Sequence, residues 1–392
     1  MPLLDRTLET ILPRLTQQYP VVTVTGPRQS GKTTLCRKVY PDRAYVSLEN
    51  LDTRQFAVED PRGFLKEYQD GAILDEIQRA PELLSYIQTM VDADNRKGLF
   101  ILTGSQQFEV STAISQSLAG RTVLLKLLPF SMEELAGHYE PGDIDHLLLT
   151  GFYPRIWDEG LNPTQALGDY FETYVERDLR QLITIKDLGL FQRFVRLCAG
   201  RIGQLLNLNS LASDTGISHT TARSWLTLLE ASYIVFRLQP YYRNISKRLV
   251  KSPKLYFYDV GLASYLLGLE SGLHVKRDPL RGNLFENMAV IEALKFRLHR
   301  GKRHNLHFYR DSSGNEIDLL LNIGPDLFPV EIKAGMTLTR DYFKGLKHIA
   351  KIFDLPLGSG LLYGGEASQK RTGVAVYPVT AVQDLLHSLE ST

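Results

Sequence analysis

The stretch "VVTVTGPRQSGKTTL", Val21 to Leu35, narrows what this chain can fold into more than any other. A β-branched apolar run stops at Gly26, and four residues later Gly31-Lys32-Thr33 opens a helical pattern. Gly26 and Gly31 let the backbone curl so that successive N–H groups face an anion. Lys32 then reaches the β and γ oxygens of a bound nucleotide, and Thr33, at the helix N-terminus, is placed to hold Mg²⁺. Pro27, Arg28, Gln29, Ser30 and Thr34 complete the expected contact set for ATP. The bare spacing arises by chance in on the order of one per cent of chains this long. The strand before it and the helix after it make chance rarer still.

A strand running into a phosphate loop and a helix belongs in a parallel sheet wrapped by helices, and the neighbouring sequence agrees. "AYVSLE", "GAILDE", "LFILTGS" and "TVLLKLLPFS" are further short apolar runs separated by amphipathic stretches, the mark of an α/β class built on a P-loop NTPase parallel sheet. "GAILDE" ends in Asp75 and Glu76. Asp75 would hold Mg²⁺, directly or through water, and Glu76 would polarise the attacking water, because phosphoryl transfer needs mainly positioning and charge stabilisation. "LFILTGSQ" ends in Thr103, Ser105 and Gln106, each a candidate sensor of the γ-phosphate. Arg121, in "SLAGRT", is the candidate arginine finger, acting in cis or on a neighbouring copy in a homo-oligomer.

Composition excludes several classes. A chain of 392 residues with 43% hydrophobic and 23% charged residues suits two or three globular domains. No apolar run approaches the length of a membrane span, and the N-terminal stretch is broken by Asp5, Arg6, Glu9 and Arg14, so a cytosolic, membrane-free protein is expected. Cys36 and Cys198 are far apart and have no CxxC partner, which disfavours a disulfide framework or a zinc site. The net charge of +1 conceals two local excesses. Arg237 to Tyr258 carries six basic residues and no acid, with tyrosines interleaved, and Ala293 to Arg310 again carries six and none. Such blocks can track a phosphate backbone, so nucleic acid is the expected partner, although a solvated face explains any single basic run.

"GPRQSGKTTL", "LDEIQRAPELL", "LTGSQ", "SLAGRT" and "LPFSMEEL", in this order, resemble the prokaryotic AAA-type P-loop ATPases that carry a C-terminal domain of uncharacterised function. "YFETYVERDL" and "NEIDLLL…PVEIKAG" resemble that family's C-terminal half. Where the resemblance implies a double glycine, this chain has "TGFYP", Thr150 to Pro154. Four segments are expected: an ATPase core over 1–142, a helical extension over 143–200, a middle region over 201–255 and a small α/β domain over 256–392. In the middle region, a helix from Leu208 or Asn209, a glycine turn, a second helix from His219 capped by Ser218, and an extended "YIVFRLQPY" resemble a winged helix-turn-helix. Its second helix offers His219, Thr220, Thr221, Arg223, Ser224 and Thr227, with a single arginine and so little for base reading; the expected role is backbone contact through Arg243, Lys247 and Arg248 of the wing, or else an interdomain relay.

The last segment holds a second set of acids. Along "NEIDLLL" Glu316 and Asp318 share one strand face, and along "PVEIK" Glu331 and Lys333 do. If "IGPD" turns one strand onto the other, Asp318, Glu331 and Lys333 converge. With Glu286 on the preceding helix, the order resembles the restriction-endonuclease-like PD-(D/E)XK fold. Three acids against Lys333 leave a formal −2, and two carboxylates roughly 4 Å apart repel by about 4 kcal/mol at an effective dielectric near 20. A second divalent ion on Glu286, Asp318 and Glu331 would remove that repulsion, with Lys333 orienting a water for cleavage. Two readings follow: an ATPase that binds nucleic acid and cuts it, or a nucleotide-gated switch that binds a DNA or protein partner through a non-catalytic C-terminal domain. A purely structural ATP-binding module is a third.

Overall fold

The structure, a computed structural model, describes residues 3–105, 117–138, 143–175, 187–241 and 251–390. It divides into two compact units. The first comprises Met1–Phe130, Ala231–Tyr233 and Arg297–Lys302; the second holds Ser131–Glu230, Ile234–Phe296 and Arg303–Thr392. The first boundary falls before residue 142, because the chain past Phe130 is drawn into the second unit, where the Met132 N–H donates to Glu292 Oε2 at 2.8 Å. The three segments expected after residue 142 share one unit.

All five strands expected in the first unit form: β1 (Val21–Thr25), β2 (Ala44–Ser47), β3 (Ala72–Asp75), β4 (Phe100–Gly104) and β5 (Thr122–Lys126). Every pairing is parallel, and the order is β2-β3-β4-β1-β5. Strand alternation sorts the apolar residues onto two faces. Val22, Val24, Ile73 and Ile101 pack with Leu8 and Leu12 of α1 (Leu8–Thr16) and with Leu35 and Cys36 of α2 (Lys32–Val39). Val21, Leu74, Phe100 and Leu102 pack on the other face with α3 (Leu51–Glu59), α4 (Pro61–Glu67) and α5 (Leu83–Asp94). Both faces of β1, β3 and β4 are covered, which is why these three read as continuous apolar runs. Because β4 lies between β1 and β3, its C-terminal end stands beside both the phosphate loop and Asp75. Ligands in open parallel sheets bind at this end of the strands.

The second unit opens with α6 (Ile144–Thr150), α7 (Pro154–Glu159) and α8 (Pro163–Tyr170), then a π-helical turn over Phe171–Val175. The end of "YFETYVERDL", residues 176–179, lies outside the described residues. The "TGFYP" departure has a local explanation. Gly151 has φ +65°, and a Cβ there would meet Asp259 Oδ1 at 2.2 Å, so this position requires glycine. The next position does not: Phe152 is buried and its N–H donates to Asp259 Oδ2 at 2.7 Å.

After α9 (Leu188–Ala199), helices α10 (Leu208–Thr215) and α11 (His219–Ala231) flank Gly216, which has φ +86°. Asn207 caps α10, and Ser218 caps α11 by accepting the Thr221 N–H at 3.0 Å. Ala222, Trp225, Leu226 and Leu229 are buried, and Trp225 meets Phe191 and Phe194 edge-on. His219, Thr220, Arg223 and Ser224 are left exposed. An antiparallel pair follows, β6 (Val235–Leu238) with β7 (Lys254–Phe257); Arg243, Lys247 and Arg248 of the expected wing lie outside the described residues.

Helices α12 (Val260–Leu266), α13 (Gly272–Arg277) and α14 (Arg281–Leu298) lead into a six-stranded mixed sheet. Its order is β12-β13-β11-β10-β9-β8, from β8 (Leu306–Arg310), β9 (Glu316–Ile323), β10 (Asp326–Lys333), β11 (Ser359–Tyr363), β12 (Gln369–Arg371) and β13 (Val374–Pro378). The "IGPD" turn does fold β9 onto β10, with Asp326 opposite Ile323 and Val330 opposite Leu319. One further step along that register sets Glu331 across from Asp318. Two elements were not legible beforehand: β12, an edge strand exposed at all three residues, and α16 (Val382–Glu390), which closes the chain after α15 (Lys344–Ile349). An edge strand of Gln, Lys and Arg carries no apolar alternation to betray it.

Candidate active site

The phosphate loop is shaped from its own sequence and braced from outside it. At Gly26 a Cβ would lie 2.0 Å from the Leu127 carbonyl oxygen, so the loop passes β5's exit with no room for a side chain. Gly31 caps α2 with φ +89°. Pro27 and Ser30 are buried, Arg28 and Gln29 half-buried, and Thr34 exposed on the first turn of α2. Arg28 faces Glu49 at 3.6 Å. Arg6 is the external brace: its guanidinium donates to the carbonyls of Ser30 at 2.8 Å and Leu128 at 2.6 Å and lies 4.8 Å over the Phe130 ring. Fixing the Ser30 carbonyl outward turns the Gly31 N–H of the same peptide unit the opposite way. Nothing in the sequence marks Arg6, since one arginine near an amphipathic helix has no spacing signature.

Lys32 is buried and donates to the carbonyls of Gly26 at 3.1 Å and Pro27 at 2.8 Å. Burial lowers its pKa, against the raising influence of Glu76 and Asp75. Thr33 Oγ1 donates to both carboxylate oxygens of Asp75, at 2.9 and 3.0 Å. Thr103 Oγ1 also donates to Asp75 and accepts the Glu76 N–H at 3.2 Å. Ser105 Oγ donates to Glu76 Oε2 at 3.0 Å, and Gln78 donates to both Glu76 and Ser105. The candidate sensors of β4 are therefore wired to the two acids, and Glu76 itself sits at φ +59°, a left-handed conformation that a non-glycine residue adopts at a cost of about 1 kcal/mol or more. Gln106 lies outside the described residues.

Arg121 requires correction as a finger in cis. It precedes β5, whose first residue Thr122 is level with Val21, the start of β1, whereas the phosphate loop leaves β1 at its far end. The length of a five-residue strand, roughly 13 Å, separates them. Its guanidinium is engaged by Asp92, at 2.5 and 2.7 Å.

In the second unit, the structure brings Glu286, Asp318, Glu331 and Lys333 together, with a cation among them that the motif did not include. Lys254 of β7 is 3% exposed. Its Nζ lies 2.8 Å from Glu286 Oε1 and 3.9 Å from Asp318 Oδ1, and pairs with Glu316 as well. Tyr256 donates to Glu286 at 2.5 Å. Lys333 donates to Asp318 Oδ2 at 2.9 Å and stands 3.6 Å from Glu331, and the Ile332 N–H reaches the same Asp318 oxygen at 2.9 Å. Burial raises the pKa of Glu331, helped by the charge of Asp318. For Asp318 burial also pushes upward, but Lys333 and Lys254 outweigh it and hold the carboxyl below its usual range. For Lys254 burial is overcome by Glu286, Asp318 and Glu316, so it stays protonated. Among the described residues, no three His, Cys, Asp or Glu side chains form a group that could hold a metal ion. Lys254 thus brings one positive charge to Glu286 and Asp318, as Lys333 does to Asp318 and Glu331.

The basic stretches are also partly consumed inside the fold. Arg237 pairs with Glu230, Lys254 enters the acidic cluster, and Arg310 donates to Glu316 at 2.7 Å. Lys295 is buried, 2.8 Å from Glu292 and 3.8 Å over the Phe152 ring. A phosphate-tracking surface assembled from both runs loses these four cations.

Comparison with known proteins agrees with the nucleotide half of this picture. Residues 18–136 match the AAA domain family. The chain carries an AAA-type P-loop ATPase domain. Residues 142–272 and 281–382 match two domains of unknown function, DUF8612 and DUF4143. Uncharacterized proteins of Mycobacterium bovis and Mycobacterium tuberculosis are each 32% identical over 331 residues, covering 83% of this chain and 73% of theirs, and this ATPase belongs to one family with them. Among solved structures, the Walker-type ATPase of Pyrococcus abyssi aligns with a TM-score of 0.46 at 16% identity, over 66% of this chain and 94% of that one. No helix among the described residues of this ATPase is long and apolar enough to cross a membrane.

Proposed function

We propose that this ATPase hydrolyses ATP with Mg²⁺ through Lys32, Thr33, Asp75 and Glu76, and that the nucleotide state gates its binding to a DNA partner rather than driving cleavage. The observation that carries the first half is the Thr33–Asp75 pair at 2.9 Å with Glu76 next in sequence. The donor set suits the ion: a hydroxyl and a carboxylate, both hard oxygen ligands, leave most of the coordination shell to phosphate and water. Ser30 Oγ, buried with no hydrogen-bond partner among the described residues, is a polar atom that a phosphate oxygen would satisfy. Mg²⁺ would neutralise charge on the β- and γ-oxygens.

Lys32 then exchanges its loop carbonyls for phosphate oxygens and stabilises the negative charge that moves toward the β–γ bridge. Glu76 orients the water in line with the γ-phosphorus and accepts its hydrogen bond. Ser105 and Gln78 hold the Glu76 carboxylate in the meantime, and Thr103 links the Glu76 backbone N–H to Asp75. Lys32→Ala and Glu76→Gln should each abolish ATP turnover in a phosphate-release assay, with Glu76→Gln still binding nucleotide. Undiminished hydrolysis in Lys32→Ala rejects the assignment.

The observation favouring a switch over a nuclease is Lys254, whose buried ammonium pairs with Glu286, Glu316 and Asp318 from within. DNA is proposed as the partner on the helix pair α10–α11, which resembles a winged helix-turn-helix and leaves His219, Thr220, Arg223 and Ser224 facing solvent. Labelled duplex should bind more tightly in one nucleotide state than the other, by fluorescence anisotropy. Incubation of DNA or RNA with Mg²⁺ or Mn²⁺ and ATP should leave both intact. Cleavage that disappears in Asp318→Ala and Lys333→Ala would overturn the switch in favour of a nuclease.

A further inference from the structure

Asp75 accepts hydrogen bonds from three hydroxyls, and one of them comes from outside every nucleotide-binding motif. Thr33 belongs to the phosphate loop and Thr103 to the end of β4. The third is Tyr45 of β2, whose hydroxyl donates to Asp75 Oδ2 at 2.9 Å. β2 is the edge strand of the sheet, and its register with β3 pairs Tyr45 with Ile73 and Ser47 with Asp75. The phenol therefore reaches forward, past one strand residue, to meet the carboxylate. Arg37 of α2 lies 4.8 Å over its ring.

We propose that Tyr45 is a positioning residue for the metal site: it fixes the rotation of the Asp75 carboxylate, and so the direction in which that group meets Mg²⁺ or its water shell. Thr103 holds Oδ1, Tyr45 holds Oδ2, and Thr33 bridges both. These four contacts fill the roughly four lone-pair sites of the carboxylate, and one site on each oxygen is freed when Thr33 Oγ1 turns from Asp75 to the ion. With Thr33 turned to the ion, a carboxylate held by Thr103 at Oδ1 alone can rotate about its Cβ–Cγ bond; held by Tyr45 at Oδ2 as well, it cannot. Tyr45 differs from the two threonines in standing at the rim, 37% exposed, while Asp75 is 6% exposed. Removing its hydroxyl leaves the ring, the strand and the phosphate loop in place.

The inference rests on Asp75 serving the Mg²⁺ site, and the test separates the two. Mn²⁺ is titrated into the full chain with ADP and free Mn²⁺ is followed by electron paramagnetic resonance, for wild type, Tyr45→Phe and Asp75→Asn. Affinity for a fluorescent ADP analogue is measured in parallel in EDTA. Groups that orient a metal ligand typically contribute 10- to 100-fold to metal affinity. Tyr45→Phe should therefore bind Mn²⁺ about tenfold more weakly, with metal-free nucleotide affinity unchanged. Unaltered Mn²⁺ affinity in Tyr45→Phe, while Asp75→Asn loses it, overturns the role of Tyr45 alone. Unaltered affinity in both variants overturns the metal role of Asp75 and this proposal with it. An equal loss of metal-free nucleotide affinity in Tyr45→Phe also overturns it, by making Tyr45 a general support of the loop.

Discussion

Replacing Lys254 by Met tests whether the acidic cluster of the second unit is held together from inside. Met fills nearly the same volume with an unbranched chain, so the change removes a charge without opening a large cavity. At 2.8 Å from Glu286 and 3.9 Å from Asp318, the ammonium gains roughly 6 and 4 kcal/mol of gross attraction at an effective dielectric near 20. Most of that offsets the cost of taking Lys254 out of water. The measurable loss comes from what remains: Glu286, Glu316 and Asp318, mostly buried and of one sign. Breaking such a pair on one side costs about 3–5 kcal/mol.

The loss should also depend on pH with a definite sign. Burial and Asp318 already raise the Glu286 carboxyl to about 6 with Lys254 present, and removing the lysine raises it further. A carboxyl whose pKa is higher in the folded chain than in the unfolded one binds more protons when folded, so the variant gains stability as pH falls through that raised value. Urea unfolding of wild type and Lys254→Met, compared at pH 8 and at pH 5, reads both effects. The deficit should be largest at pH 8 and clearly smaller at pH 5. A variant within about 0.5 kcal/mol of wild type at pH 8, the range of an ordinary surface substitution, would refute the reasoning.

Two further predictions concern the first unit and the thiols. Gly26→Ala should abolish nucleotide binding, measured with a fluorescent ADP analogue, and cost about 1–3 kcal/mol of stability, because its methyl group meets the Leu127 carbonyl oxygen at 2.0 Å. Cys36 and Cys198 are both buried, and burial pushes each thiol up to about 12, with the Asp75 charge adding to the shift at Cys36. At pH 8 their thiolate fraction falls about a thousandfold below that of a free cysteine. Ellman's reagent should count neither thiol in the native chain and both in guanidinium chloride; a rapid native reaction would contradict their burial.

Sequence alone determined the parts whose chemistry is local. A phosphate loop needs glycines, a lysine and a hydroxyl at set intervals along one strand, turn and helix, so Gly26 to Thr33 announce it without help from the rest of the chain. The apolar runs of β1, β3 and β4 were legible because these strands, covered on both faces, have no polar side to confuse the pattern. Alternation along β9 and β10 likewise predicted that Asp318 and Glu331 would meet, since a two-residue period and a tight turn set register by themselves.

Tertiary structure decided what converges from distant segments. Arg6 on Ser30, Tyr45 on Asp75 and Lys254 among the acids carry no spacing relation to the groups they touch, and a pattern along one strand cannot reveal a partner from another. Arg121 shows the same limit in reverse. Its place in a motif suggested the γ-phosphate, but the parallel sheet puts the start of β5 a strand's length from that site. The same reason governs the acidic cluster: the charge counted over Glu286, Asp318, Glu331 and Lys333 left out Lys254, which only the folding of β7 against them brings in.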